Sequence, residues 1–403
     1  MSETARKPAI RFAGFTEAWE QRKLGELGEI ITGSTPSTQV QAYYSDDGIP
    51  WVTPTDISEN ITFNTAKRLS EEGQKVARVV PQNTVLVTSI ASIGKNTMLG
   101  TTGSFNQQIN GLVPNEKENF PYFLLSESAL WSEKMKSSAA AGTMQIINKT
   151  EFSELKTFVP SLKEQTKIGT FFRNLDNLIA LHQRKYDKLK NIKKSCLEKM
   201  FPKNGSNVPK IRFKGFTEAW EQRKLGELGE IITGSTPSTQ VQAYYSDDGI
   251  PWVTPTDISE NITFNTAKRL SEEGQKVARV VPQNTVLVTS IASIGKNTML
   301  GTTGSFNQQI NGLVPNEKEN FPYFLLSESA LWSEKMKSSA AAGTMQIINK
   351  TEFSELKTFV PSLKEQTKIG TFFRNLDNLI ALHQRKLEKL QNFKKACLEK
   401  MFV

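Results

Sequence analysis

The chain offers few groups that could break a bond. Its two histidines, His182 and His383, stand 201 positions apart, each inside a long apolar-striped segment where a helix-packing role accounts for it. The only cysteines, Cys196 and Cys397, occupy equivalent positions in those same segments, so neither a disulfide framework nor a clustered metal site is indicated. No Gly-x-Ser-x-Gly elbow, His-Glu-x-x-His pair or Gly-x-Gly-x-x-Gly loop occurs. Gly94-Lys95-Asn96 ends like a phosphate loop, yet Ser89 stands where the first glycine belongs and Asn96 replaces the hydroxyl residue. Asp46-Asp47 beside Gly48 reads as a solvated turn. No catalytic residue and no metal ligand is therefore assigned.

Amides and hydroxyls are what the chain has in quantity, gathered in residues 32–38, 53–58, 89–97, 101–110 and 143–150. An Asn or Gln amide pairs a donor with an acceptor, the pattern of the major-groove edge of adenine, and such a pair discriminates by about 1–3 kcal/mol. The candidates for such contacts are Ser34, Thr35, Lys95, Asn106, Gln107, Gln108 and Gln145. Their counterparts are Ser235, Thr236, Lys296, Asn307, Gln308, Gln309 and Gln346. Solvated loop polars or internal braces are the competing reading for any one of them. Tyr43 and Tyr44 could line such a surface, whereas Trp51, in Ile-Pro-Trp-Val, reads as core.

The elements that must position these residues come in duplicate. Residues 14–185 and 215–386 are identical over 172 positions; beyond them the copies drift, as at Ala13 and Lys214, Tyr186 and Leu387, Lys190 and Gln391, Ile192 and Phe393, Ser195 and Ala396. Each copy ends in a helix signal of about 40 residues, a rod of about 60 Å. Ser161 and Glu164 have capping-box spacing at its start. Ile168, Leu175, His182, Leu189 and Cys196 then recur every seven residues, with Phe171, Leu178 and Ile192 four before members of the series. A second flank, Phe172, Ile179, Tyr186 and Met200, widens the stripe, the signature of one helix packing on another.

The region before each rod reads as α/β. Residues 49–52 and 84–88 are strand-like, Gly33-Ser-Thr-Pro-Ser37 is a loop, and residues 121–141 predict an amphipathic helix with Phe123, Leu124, Leu130, Trp131 and Met135 inside and Gly142 at its end. The resulting expectation is an α/β fold with two globular domains, 1–160 and 215–361. They are joined by a central helix at 161–201, a linker at 202–214 and a distal helix at 362–403. The second rod can bury its stripe by returning along the first, giving an antiparallel two-helix coiled coil and a pseudo-two-fold molecule.

Net charge is +9, but it is unevenly placed. Residues 162–201 and 363–402 together carry +11, whereas each block from 14 to 160 or 215 to 361 holds twelve basic and sixteen acidic side chains. Bulk charge will not carry the blocks onto a phosphate backbone. At 37% hydrophobic and 23% charged the composition is that of a soluble protein, without an apolar run of membrane-spanning length or an apolar core near the N-terminus, so a cytoplasmic location is expected.

Several of these stretches resemble one family over essentially the whole chain. Pro160-Ser-Leu-Lys-Glu-Gln165 leads into Phe171-Phe-Arg-Asn-Leu-Asp-Asn-Leu-Ile-Ala-Leu-His-Gln-Arg-Lys185 and the Lys-rich tail ending Lys199-Met-Phe201. Gly33-Ser-Thr-Pro-Ser37, Ile49-Pro-Trp51 with Asp56, and Ser89-Ile-Ala-Ser-Ile-Gly-Lys95 with Asn106-Gln-Gln108 precede it. The whole resembles the specificity subunit of type I restriction-modification enzymes.

That resemblance implies a non-catalytic reader of double-stranded DNA, with two target-recognition domains and two methyltransferase subunits docked on the helix pair. It implies no cofactor in this chain, S-adenosylmethionine in the adenine methyltransferase partner, a restriction or motor subunit as a further partner, and no membrane. The family's two recognition domains usually differ; here they are the same. The expected target is then an interrupted palindrome with the rods setting its gap. A tandem module binding protein or carbohydrate is the alternative that the loop chemistry alone leaves open.

Overall fold

Val85, Leu86 and Val87 occupy the middle strand of the first block, as Val286, Leu287 and Val288 do in the second, and their alternation explains the layers. The computed structural model describes residues 7–90, 92–140, 146–203, 205–291, 293–341 and 347–403, with side chains of 138–140 and 339–341 left aside. Strand β7 (Val85–Thr88) lies in a five-stranded sheet with β2 (Gly28–Thr32), β10 (Ile109–Pro114), β8 (Asn96–Leu99) and β4 (Ile61–Thr62), in the order β2-β10-β7-β8-β4. All neighbours are antiparallel except β8 and β4. Because side chains alternate across a strand, both faces of β7 must be apolar if both are covered. They are: Leu86 joins Val52, Val80, Leu99, Phe105 and Ile109 in one core, while Val85 and Val87 join Ile30, Met98, Leu112, Phe123 and Trp131 in another.

The first core lies against a four-stranded sheet of order β5-β3-β9-β6, formed by Arg68–Leu69, Tyr44–Val52, Gly103–Phe105 and Val79–Val80. Its longest strand, β3, has a register break between Tyr44 and Ile49, both opposite Leu69, and Asp46 and Asp47 stand exposed in the bulge. A small third sheet pairs β1 (Glu20–Lys23) with β11 (Lys156–Val159). Helices α1 (Leu24–Leu27), α2 (Glu71–Val76) and α4 (Lys149–Glu154) are short.

Helix α3 (Pro121–Ala140) covers the second core, and it departs from the amphipathic expectation. Its first two turns are buried all round, Ser126, Glu127 and Ser128 included, because the sheet lies on one side and the long helix on the other. The serines are satisfied locally: Ser126, Ser128 and Ser132 donate to the carbonyls of Tyr122, Leu125 and Ser128 at 2.6–2.8 Å. Gly142 lies outside the described residues.

Helix α5 (Leu162–Lys199) follows β11 at once. The second repeat reproduces every element as β12–β22 and α6–α10, including α8 (Pro322–Ala341) and the long α10 (Leu363–Met401). Two compact units result, Met1–Gln183 with Arg385–Val403, and Arg184–Gln384. Each therefore contains one block, the first half of that block's own long helix and the last part of the other long helix. In the first unit Phe402 stacks on Phe123 with centroids 5.5 Å apart and meets Phe172 and Trp19, while Phe171 meets Phe393. In the second, Phe201 meets Trp220, Phe324 and Phe373 in the same way. Later residues of one helix thus face earlier residues of the other, and the pair is antiparallel within each unit.

The buried seam differs from part of the expected stripe. Ile168, Phe172 and Leu175 are buried, and Ile179, His182, Tyr186, Leu189, Lys193 and Cys196 half-buried, before Met200 closes the series. This is steady alternation of four and three residues, the spacing that keeps a seam against a partner helix. Leu178 and Ile192 are instead exposed, at 46% and 38%. The capping box also takes another form. Ser161 O accepts from the N–H groups of Glu164 and Gln165, but both Glu164 carboxylate oxygens accept from Arg11 at 2.7 Å. That buried bidentate pair fastens the segment before the block to the start of α5.

Candidate nucleic-acid interface

Four polar loops meet at one edge of each block because the sheets deliver their ends there. The loop after β2 is held by Gly33 N–H to Ile109 O and Ser34 N–H to Phe105 O, 3.1 and 2.8 Å. A Cβ at Gly33 would lie 2.1 Å from Asn106 O, so only glycine permits this approach. The loop after β3 is an Asx-type turn: Asp56 accepts from Thr53 N–H and hydroxyl at 2.9 and 2.6 Å and from Ala66 N–H at 2.9 Å. The loop after β7 turns at Gly94, φ +83°, whose N–H donates to Thr88 O. Ser89 N–H donates to Gln108 O, tying that loop to the one before β10, and Asn106 N–H donates to Val52 O, tying it to β3. A fifth segment arrives through Ile147 N–H to Ser89 O and the bridge between Ile90 and Ile146.

The side chains of the expected set divide by exposure. Thr35, Lys95 and Gln107 are exposed, and the Thr35 hydroxyl donates to Gln107 Oε1. That bond orients the amide while leaving Nε2 and the second lone pair of Oε1 outward, a donor and acceptor side by side. Lys95 lies along the surface with Nζ donating to Pro54 O at 3.1 Å. Ser34 is half-buried and a brace: its hydroxyl accepts from Arg78 N–H and its carbonyl from the Trp51 indole, 2.8 and 3.0 Å. Asn106 is only 8% exposed and both ends of its amide are spent on Gln108, Nδ2 to Oε1 at 3.0 Å and Oδ1 from N–H at 3.1 Å. Gln108, half-buried, is fixed by that exchange. Gln145 and Gln346 lie outside the described residues.

The second block repeats the arrangement. Thr236 donates to Gln308, Lys296 to Pro255 O, Asn307 is paired with Gln309, and Ser235 braces Arg279 and Trp252. Trp51 is core, as its setting predicts, and Tyr44 packs edge-on against it with its hydroxyl on Pro36 O at 2.8 Å; burial pushes the Tyr44 phenol above its ordinary pKa.

Two cations join the edge without having been expected. Exposed Arg78 donates from Nη1 to Thr32 O at 2.7 Å, and exposed Lys136 of α3 lays its stem against Gly94. Each comes from an element about 40 residues away in sequence from the loop it adjoins, and spacing alone carries no signal for such a meeting. Together with Lys95, three basic side chains then adjoin the loops after β2, β3 and β7.

A protein-family model described as "Type I restriction modification DNA specificity domain" matches residues 16–191 and again 217–392. The chain is similar to the type I restriction enzyme MjaIX specificity subunit of Methanocaldococcus jannaschii, 29% identical over 46% of this chain and 44% of that protein, so less than half of that relative is spanned. It is also similar to the MjaVIII specificity subunit of the same organism, 22% identical over 94% of this chain and 91% of the relative. Among solved structures, the crystal structure of the type I restriction-modification system S subunit from M. genitalium superposes with a TM-score of 0.69. It covers 98% of this chain and 99% of the other at 14% identity, a likeness of fold. Among the described residues, no helix is long and apolar enough to cross a membrane.

Proposed function

The chain belongs to the type I restriction-modification DNA specificity family, of which it carries two domains as the non-catalytic, target-recognising part, and we propose that it reads one interrupted palindrome. The carrying observation is the identity of residues 14–185 and 215–386: each edge presents the same oriented amide, Gln107 or Gln308, on the same hydroxyl, Thr35 or Thr236. Identical readers select identical half-sites. The antiparallel course of α5 and α10 within each unit supports opposite reading directions, and symmetric proteins match symmetric sites.

The amide is suited to adenine N6 and N7, and Lys95, Arg78 and Lys136 to flanking phosphates. The helix pair, with most of the positive charge, offers docking for two methyltransferase subunits that bring S-adenosylmethionine, and a restriction or motor subunit completes the assembly. The length of α5 and α10 sets the gap between half-sites.

Sequencing methylated adenines in a host expressing this chain with its methyltransferase tests the proposal. Two half-sites that are inverted copies across a fixed gap are expected; half-sites unrelated by inversion would refute it.

A further inference from the structure

Asp176 stands where α5 leaves its block. Before it Glu164, Gln165, Ile168, Gly169, Phe172 and Leu175 are buried; from Ile179 to Lys193 the helix keeps only its seam half-covered. The other hydrogen-bonded ties between block and helix lie at the helix start, with Arg11 on Glu164 and Phe120 N–H on Gln165 Oε1 at 3.0 Å, and the Arg173 guanidinium packs over the Phe120 ring. At the exit one carboxylate, 10% exposed, joins three helices. Its Oδ2 accepts from Tyr122 OH of α3 at 2.9 Å, and its Oδ1 pairs with Lys394 Nζ of α10 at 2.6 Å. The second unit repeats the joint with Asp377, Tyr323 and Lys193, at 2.9 and 2.6 Å. In each unit the lysine comes from the other repeat.

We propose that Asp176 and Asp377 are positioning residues: each fixes the pose of a reading block on both long helices, and so the gap at which the two half-sites are accepted. This rests on the two-half-site reading above. Leverage makes the joint matter. A helix of 38 residues is about 57 Å long. A tilt of about 5° at its base moves the far end by roughly 5 Å, more than the ~3.4 Å rise of one base pair. Without the carboxylate, the block is held by polar contacts at one end and by apolar packing, which resists separation better than small rotations.

The test uses the full chain with its methyltransferase, S-adenosylmethionine and duplexes carrying the two half-sites at the cognate gap and at gaps one base pair shorter and longer. Asp176→Asn with Asp377→Asn is compared with Tyr122→Phe with Tyr323→Phe, which keeps the ion pair should the first variant fold poorly. Preference for the cognate gap is expected to fall about tenfold in the Asn variant and less in the Phe variant, with the same half-sites recognised. An unchanged gap preference in either folded variant, whatever happens to its melting temperature, overturns the positioning role. A wild-type complex that methylates no split site overturns the functional reading itself, and is told apart because it shows before any variant is made.

Discussion

Gln107 and Glu127 show how differently two polar side chains of one block are used. Gln107 is exposed and oriented by Thr35, so Gln107→Ala with Gln308→Ala should weaken binding to the cognate site by roughly 5- to 150-fold per half-site, the effect of about 1–3 kcal/mol. Its melting temperature should stay within a degree or two; titration of cognate and scrambled duplexes checks both the loss and its specificity. Thr35→Val with Thr236→Val should show a smaller loss, since the amide remains but is free to turn.

Glu127 is the reverse case: fully buried in α3, with Oε1 bonded to the Thr157 hydroxyl and Oε2 without a well-formed hydrogen bond among the described residues. Burial above all pushes its carboxyl up to about 8, and Glu328 likewise. The native state thus keeps a proton that the unfolded chain releases above about 4.5. Stability from this source is full below pH 4.5, falls as pH rises to about 8, and then levels; the slope approaches about 1.4 kcal/mol per pH unit for each glutamate. Glu127→Gln with Glu328→Gln should flatten that decline and raise the melting temperature at pH 8, as thermal denaturation between pH 5 and 8 would show. Sequence marks Glu127 only as one acid among sixteen in its block; its burial depends on where α3 runs, which no local spacing reveals.

At the scale of elements, the long helices were the most legible feature, since heptad spacing is written in the chain and needs no tertiary knowledge. Which flank of the stripe faces the partner was less so: Phe171, Leu178 and Ile192 and the series Phe172, Ile179 and Tyr186 are equally apolar, and the structure chooses the second along most of the helix, with Phe171 of the first flank still meeting Phe393. Leu178→Ser should therefore cost less than about 0.5 kcal/mol, whereas Leu175→Ala, three residues earlier on the seam, should cost about 2–5 kcal/mol in chemical denaturation. Inserting seven residues into both helices preserves the seam, and should shift the accepted gap while leaving the half-sites unaltered; altered half-sites at the old gap would sink the ruler reading. The α/β layers were only partly legible, because β4, β5 and β6 are two residues long and exist by pairing rather than by propensity. The interface followed the same rule. The polar loops of the candidate site stand out by composition, but whether an amide is exposed, as Gln107 is, or buried, as Asn106 is, is decided by neighbours far away in the chain.

For the molecule as a whole, charge and connectivity are the informative quantities. With each block net acidic and the excess lysine on the helices, the isolated chain should neutralise few phosphates and bind DNA weakly, gaining affinity when the methyltransferase is added; tight binding by the chain alone at moderate salt would contradict this. The joint between repeats is equally telling. Ile211 N–H donates to Lys199 O across the linker at 2.9 Å, and in the first unit Ile10 N–H donates to Lys400 O at 2.8 Å with no linker between them. A protease site placed at residues 203–206 should yield two fragments that still migrate together. The interleaving has a bearing on inheritance. A gene encoding two identical 172-residue tracts is open to recombination between them, which excises 201 codons and leaves 202. That shortened product would keep one whole reader and a helix whose two halves suit those of a second copy, so such a deletion would change the number of chains in the complex without changing the word it reads.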